Sequence, residues 1–275
     1  MLLKSKSDIK NIIENGQRMG DILEKLMELS RPGISAFEID AKAEEMIIKA
    51  GGRPAFKGYK TSSADRPFPA TICASFNNEI VHGIPRKERI LTDGDIFSID
   101  IGMEWPGKSS KFKVQSSRSR GVFTDTAVTV MIGEMPEKVQ KLVTVTKQAL
   151  EEGIKAAQPG NSVAAIGRAV ENYVKSQGKY GIVRDLVGHG VGHQVHEDPH
   201  IPNYYDPALE SIILQPGMVI AIEPMISLGG WQVETMDDGW TIRMKDKSMC
   251  AHFEHTIIIT EKGNIVATRR PGESK

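Results

Sequence analysis

Between residues 8 and 29 the apolar side chains fall at Ile9, Ile12, Ile13, Met19, Ile22, Leu23, Leu26 and Met27, the spacing of one helix face, which predicts a first amphipathic helix. Arg31-Pro32-Gly33 then marks a turn, and Ser35-Ala36-Phe37-Glu38 has the form of a capping box, predicting a second helix that closes at Gly51. Beyond it the period shortens to that of strands. In Phe97-Ser98-Ile99-Asp100-Ile101-Gly102, alternation puts Phe97, Ile99 and Ile101 on one face and Ser98, Asp100 and Gly102 on the other.

The same features recur in the second half of the chain, in the same order. Pro32-Gly33-Ile34-Ser35, with Gly51 closing its helix, matches Pro159-Gly160-Asn161-Ser162 with Gly178. Val81-His82 before Ile84-Pro85 matches Val195-His196 before Ile201-Pro202, and Leu91, Gly94 and Ile99-Asp100 match Leu214, Gly217 and Ile222-Glu223. Asp125-Thr126-Ala127-Val128 matches Glu254-His255-Thr256-Ile257. Each match alone is weak, but their shared order implies two related α/β halves, each with a histidine, an acid ending a strand and an acid inside a strand. Packed about a pseudo-twofold axis, the halves would bring these groups together. The symmetry is broken by a Ser-, Lys- and Arg-rich stretch from about 103 to 121, read as a surface insertion, and Thr61 to Pro67 reads as a second, shorter one.

Composition narrows the classes. Apolar residues at 40% and charged residues at 25% describe an ordinary globular chain, and without a Pro/Gly/Ser-rich linker one domain over 1–275 is expected. With 35 basic and 35 acidic side chains, no global field draws the chain to nucleic acid or an anionic membrane. Two cysteines, no apolar leader core and no membrane-length apolar run lead to the expectation of a cytoplasmic protein.

Four acids, Asp100, Asp125, Glu223 and Glu254, interrupt strongly apolar strands. Ionised carboxylates are costly to bury without a cation, and no basic residue recurs beside these strands in both halves, so a metal centre is favoured over four separate salt bridges. Four histidines fall in the segment 188–200, where alternating glycines argue for an extended strand or loop rather than a metal-binding helix. Along such a strand His189 and His193 would share a face and His196 take the other. His189, flanked by glycines, is the expected ligand, and His196 the group near substrate. His193, His200 and His252 read equally well as structural or functional. Four carboxylates with one imidazole suit two divalent ions better than one tetrahedral zinc, and such a pair activates a water for hydrolysis.

At these residues the chain resembles the type I methionine aminopeptidases of peptidase family M24. The resemblance rests on NNEIVHGIP, DIFSIDIG, FTDTA, GHGVGH with VHEDP, GMVIAIEPM, DGWT and FEHTIIIT, spread in family order over most of the chain. It implies an α+β pita-bread (creatinase/aminopeptidase) fold, with two pseudo-twofold-related halves around a central antiparallel sheet. It further implies two divalent ions (cobalt, manganese, iron or zinc) on Asp100, Asp125, His189, Glu223 and Glu254, with Asp125 and Glu254 bridging. His82 and His196 would contact the substrate near the scissile amide, and Glu223 would carry a proton to the leaving amine after attack by a hydroxide shared by the ions. Phe56, Tyr59, Phe68, Cys73 and Trp240 would line a pocket for the methionine side chain. The expected substrates are N-termini of nascent chains with a small second residue, met at the ribosome by a monomer in the cytoplasm. Xaa-Pro peptidases would share the ligands but usually carry a separate N-terminal domain, which this chain is expected to lack. The other competing reading is a binding protein of this fold that has lost catalysis.

Overall fold

Ser5 and Ser35 start the first two helices. In the computed structural model, which describes residues 3–60, 66–106 and 121–273, each serine hydroxyl accepts a hydrogen bond from the backbone N–H three residues on, and the carboxylate there accepts the serine N–H in return. These closed capping boxes open α1 (Lys6–Leu29) and α2 (Ala36–Lys49). Gly51, at φ +81°, turns the chain out of α2. The short β1 (Arg53–Pro54), then β2 (Ile72–Phe76) and β3 (Glu79–Val81), lead to the long pair β4 (Ile96–Trp105) and β5 (Val122–Met131). The second half repeats the plan with α3 (Glu137–Ala156), α4 (Val163–Gln177), β6 (Gly181–Ile182), β7 (Gly188–Gly190), β8 (Glu197–Ile201) and β9 (Val219–Ile222). It continues through β10 (Met225–Ser227), β11 (Val233–Thr235), β12 (Ile242–Met244), β13 (Cys250–His252), β14 (His255–Thr260) and β15 (Gly263–Val266).

The duplication read from the sequence recurs in the hydrogen bonds. Gly33 N–H donates to Leu91 O at 2.9 Å as Gly160 N–H does to Leu214 O at 2.9 Å, and Gly94 N–H donates to Ile132 O at 2.8 Å as Gly217 N–H does to Ile259 O at 2.9 Å. Gly94 and Gly217 hold φ at +93° and +94°, a backbone that a side chain would strain, which is why the same residue stands at both positions.

All the strand pairs are antiparallel. One sheet runs β1-β4-β2 with β5 on β4, and another runs β15-β14-β9-β7-β8. A bridge between Ala127 of β5 and Glu254 joins them at the centre. Phe97, Ile99 and Ile101, wholly buried, belong to a core that also holds Leu23 and Ile39 of α1 and α2 and Leu150 and Ile166 of α3 and α4. Each such side chain contributes roughly 1.5–3 kcal/mol by leaving water, which fixes the sheets from the helix side and leaves Asp100 on the opposite face. The arrangement is α+β, as the resemblance implies.

The expected insertion from 103 needs a narrower boundary. Met103, Glu104 and Trp105 continue β4 and pair with Thr124, Phe123 and Val122 of β5, Met103 is wholly buried, and Glu104 is bonded to Arg53. Packing and ladder pairing thus carry the strand further than the polar composition suggests. Of the two expected insertions, residues 107–120 and 61–65 lie outside the described residues. Among the described residues no helix is long and apolar enough to cross a membrane.

Candidate metal centre and substrate cavity

Three strands place the acids in one row. Ala127 is the Cα partner of both Asp100 on β4 and Glu254 just before β14, so a small residue stands between two carboxylates. Asp125 opposes Gly102, which makes it the diagonal neighbour of Asp100 on the same face of the ladder. Glu223 leaves the end of β9, where Ile222 pairs with His255. His189, the middle residue of β7, brings its Nε2 to 3.6 Å from Glu223 Oε1 and 4.0 Å from Asp125 Oδ2. One ligand atom each from Asp125, His189 and Glu254 lie within 4.8 Å of one another. The Nδ1 of His189 donates to the Gly190 carbonyl at 2.9 Å, which leaves Nε2 turned to the acids.

This cluster has the chemistry of a cation site. Asp100 Oδ1, Asp125 Oδ1 and Glu254 Oε1 are buried without a hydrogen-bond partner, and among the described residues no Lys or Arg pairs with any of the four acids. Burial first, followed by the carboxylates' mutual repulsion, pushes Asp125 and Glu254 well above the usual carboxylate range. Burial likewise raises Asp100 to about 6. A divalent cation among them would reverse that logic by favouring the ionised forms. The donor set of four carboxylates and one imidazole therefore fits hard divalent ions.

The acids floor a cavity of about 170 Å³. A void of about 150 Å³ holds a benzene-sized group, so the space admits one side chain of several heavy atoms. Every residue expected at the site lines it: the five candidate ligands, His82, His196, Phe56, Tyr59, Phe68, Cys73 and Trp240. The rings of Phe68 and Trp240 pack edge to face at 5.3 Å, and Trp240 Nε1 donates to the Arg66 carbonyl at 3.2 Å. Burial, then the charges of Asp100 and Asp125, push the Cys73 thiol up, so it serves the wall as an uncharged group. His82 follows β3 with φ at +59°, a left-handed conformation uncommon outside glycine. Desolvation lowers its pKa to about 4, and that of His196 to about 3 with the imidazoles of His189 and His82 beside it. Both rings are therefore uncharged near neutrality.

The expected pairing of His189 and His193 on one face does not hold. The strand ends at Gly190, and Gly192 turns the chain at φ +130°, so His193 swings away to Asp8 Oδ2 at 3.3 Å. His196 instead meets the His189 ring at 4.4 Å between centroids, and its Nδ1 lies 2.7 Å from the Tyr59 hydroxyl. Val81, Leu186, Val187 and Met225 complete the lining without having been expected there. They are ordinary apolar residues; only their nearness in sequence to His82, His189 and Glu223 signalled them. His252, buried on β13, brings Nε2 to 3.4 Å from Glu223 Oε2, and its lone position in the sequence gave no sign of this.

Comparison with known proteins agrees with this geometry. The model of metallopeptidase family M24 matches residues 10–261. The chain belongs to that family. It is 42% identical to the methionine aminopeptidase of Borreliella burgdorferi, with 94% of each chain covered. It is 40% identical to methionine aminopeptidase 1 of Bacillus subtilis, covering 98% of this M24 chain and 99% of that one. The crystal structure of the Thermotoga maritima methionine aminopeptidase superposes with a TM-score of 0.87 at 37% identity, over 98% of this chain and 100% of its own. A prolidase from Pyrococcus horikoshii, at 22% identity and a TM-score of 0.71, shares the fold over 98% of this chain but only 64% of its own. These likenesses show the pita-bread fold for this M24 chain.

Proposed function

We propose that this chain is a metalloaminopeptidase that removes the N-terminal methionine from polypeptides whose second residue is small. The reading is carried by one observation: buried carboxylate oxygens without partners converge beneath a cavity whose walls are largely aromatic and apolar. Asp100, Asp125, His189, Glu223 and Glu254 would hold two divalent ions. Bound there, the ions would supply a water whose pKa is lowered towards neutrality. Phe56, Tyr59, Phe68, Cys73 and Trp240 hold the methionine side chain by excluding water from it. The Tyr59 hydroxyl lies 2.7 Å from His196 Nδ1; in the tautomer where it donates to Nδ1, the His196 Nε2–H would be free to donate to the scissile carbonyl. His82 donates from the other half. Glu223 would take the proton that the attacking water gives up and hand it to the leaving nitrogen.

With this reading go the cytoplasm as compartment, nascent chains at the ribosome as substrate source, and a monomer in which residues 1–275 form one catalytic unit. An Xaa-Pro peptidase is the competing assignment, and identity is what disfavours it: 42% to a methionine aminopeptidase against 22% to a prolidase. The test is release of methionine from Met-Ala-Ser by chelated protein after cobalt or manganese is added back, beside a Pro-containing dipeptide and Asp100→Asn. Metal-dependent release of methionine, abolished in the variant, is expected. Cleavage of the Pro dipeptide alone would move the assignment to the Xaa-Pro class, and metal binding without either cleavage would overturn it.

A further inference from the structure

Lys4 lies outside the cavity lining, yet its side chain is only 1% exposed and its Nζ sits 2.5 Å from Glu197 Oε2. The other oxygen of Glu197 accepts the backbone N–H groups of His193 at 2.6 Å and Gln194 at 2.9 Å. One carboxylate thus ties the lysine to the turn that carries His196, the residue just before Glu197. Gly192 closes the turn over the lysine stem: a Cβ there would come within 2.5 Å of Lys4 Cε, against a backbone already at φ +130°. Two further ties fix the arrangement. Lys4 N–H donates to Gly217 O at 2.9 Å, at the turn entering β9, and Asp8 Oδ2 faces His193 Nε2 at 3.3 Å.

Taking two charges out of water gains little stability over a well-packed apolar pair. What an ion pair adds is a fixed direction, and here it points along the turn bearing a group placed against the substrate. We infer that Lys4 is a positioning residue for His196, so that the N-terminal segment sets the angle at which this imidazole meets the scissile carbonyl. The inference rests on the aminopeptidase reading above.

The test assays Lys4→Met, Lys4→Arg, His196→Ala and Lys4→Met/His196→Ala for methionine release from Met-Ala-Ser, at a temperature where each is folded. Lys4→Met should lower kcat on the order of 10- to 100-fold, with metal content and KM little changed, and Lys4→Arg should recover most of the loss. In the His196→Ala background Lys4→Met should cost nothing further. Equal losses in both backgrounds, or no loss in either, would overturn the inference while leaving the aminopeptidase standing. Absence of turnover by the wild-type chain would overturn both. If Lys4→Met does not fold, Glu197→Gln, which keeps an acceptor for the two amides, enters the same comparison with the same outcomes.

Discussion

The carbonyl of Asp125 accepts a hydrogen bond from the Thr256 hydroxyl at 2.8 Å, and the same hydroxyl oxygen accepts the Asp125 N–H at 3.0 Å. The relation is reciprocated: Thr126 Oγ1 donates to the carbonyl of Glu254 at 2.8 Å. Each half of the molecule therefore holds, through a threonine, the backbone of an acid that belongs to the other half. The carboxylates meet where they do because their main chains are clasped across the seam.

Thr256→Val should lower stability by about 1–3 kcal/mol, since it leaves the buried Asp125 N–H and C=O unpaired. At about 2–4 °C per kcal/mol for a chain of this size, calorimetry of the chelated protein reads this directly. Thr256→Ser, which retains the hydroxyl, should stay close to wild type; an equal drop there would mean that the lost methyl and not the clasp matters.

Asp125→Asn should do the reverse. It relieves burial of an unpaired acid among like charges, so the chelated variant should melt about 2–4 °C higher than chelated wild type, while its metal content by elemental analysis falls sharply. A lower melting temperature would mean that the protein alone satisfies this carboxyl.

Tyr59→Phe keeps the ring against the cavity and removes only the hydroxyl at His196 Nδ1. A fall in kcat of roughly tenfold with KM almost unchanged is expected, the signature of an interaction felt in the transition state. A raised KM at constant kcat would reduce Tyr59 to a pocket wall.

Acid stability should depend on Glu273. Its burial works to raise the pKa, but the hydrogen bond and charge of His255, then Arg270, outweigh this and hold the carboxyl at about 2. His255 is itself lowered, complete burial outweighing the help of Glu273, so Arg270, with Lys147 Nζ farther off at 4.0 Å, supplies the positive charge that Glu273 meets at neutral pH. A depressed carboxyl stabilises the fold above its unfolded value, about 4.3, and that contribution is lost as the pH falls towards about 2. Glu273→Gln should therefore flatten the decline of melting temperature across that window; an unchanged slope would remove Glu273 from the acid transition.

Much of this was legible in the chain, because the features that carry it are local. The capping box at Ser35 needs only three residues of spacing, and alternation about Asp100 needs only six. The repeat then supplied the long-range information that single motifs lack, since it paired Asp100 with Glu223 and Asp125 with Glu254 before any fold was drawn. What stayed hidden depended on chain reversals. A positive φ at Gly192 sent His193 to α1 and turned His196 towards His189, against the strand alternation assumed for them. His252 reaches Glu223 only because β13 pairs with β10, a contact between residues 29 positions apart with no motif to announce it. Lys4 gave no signal at all, its partner being 193 residues away.

The passage from β5 to α3, residues 132–136, carries none of the candidate ligands, and its Gly133 and Glu134 are exposed. Cutting the backbone there would separate Asp100 and Asp125 on one fragment from His189, Glu223 and Glu254 on the other. Neither piece alone would own a hydrolytic centre. Activity would return as a bimolecular process, rising with the concentration of both fragments, so the seam that joins two halves of one chain would behave as the interface of a heterodimer.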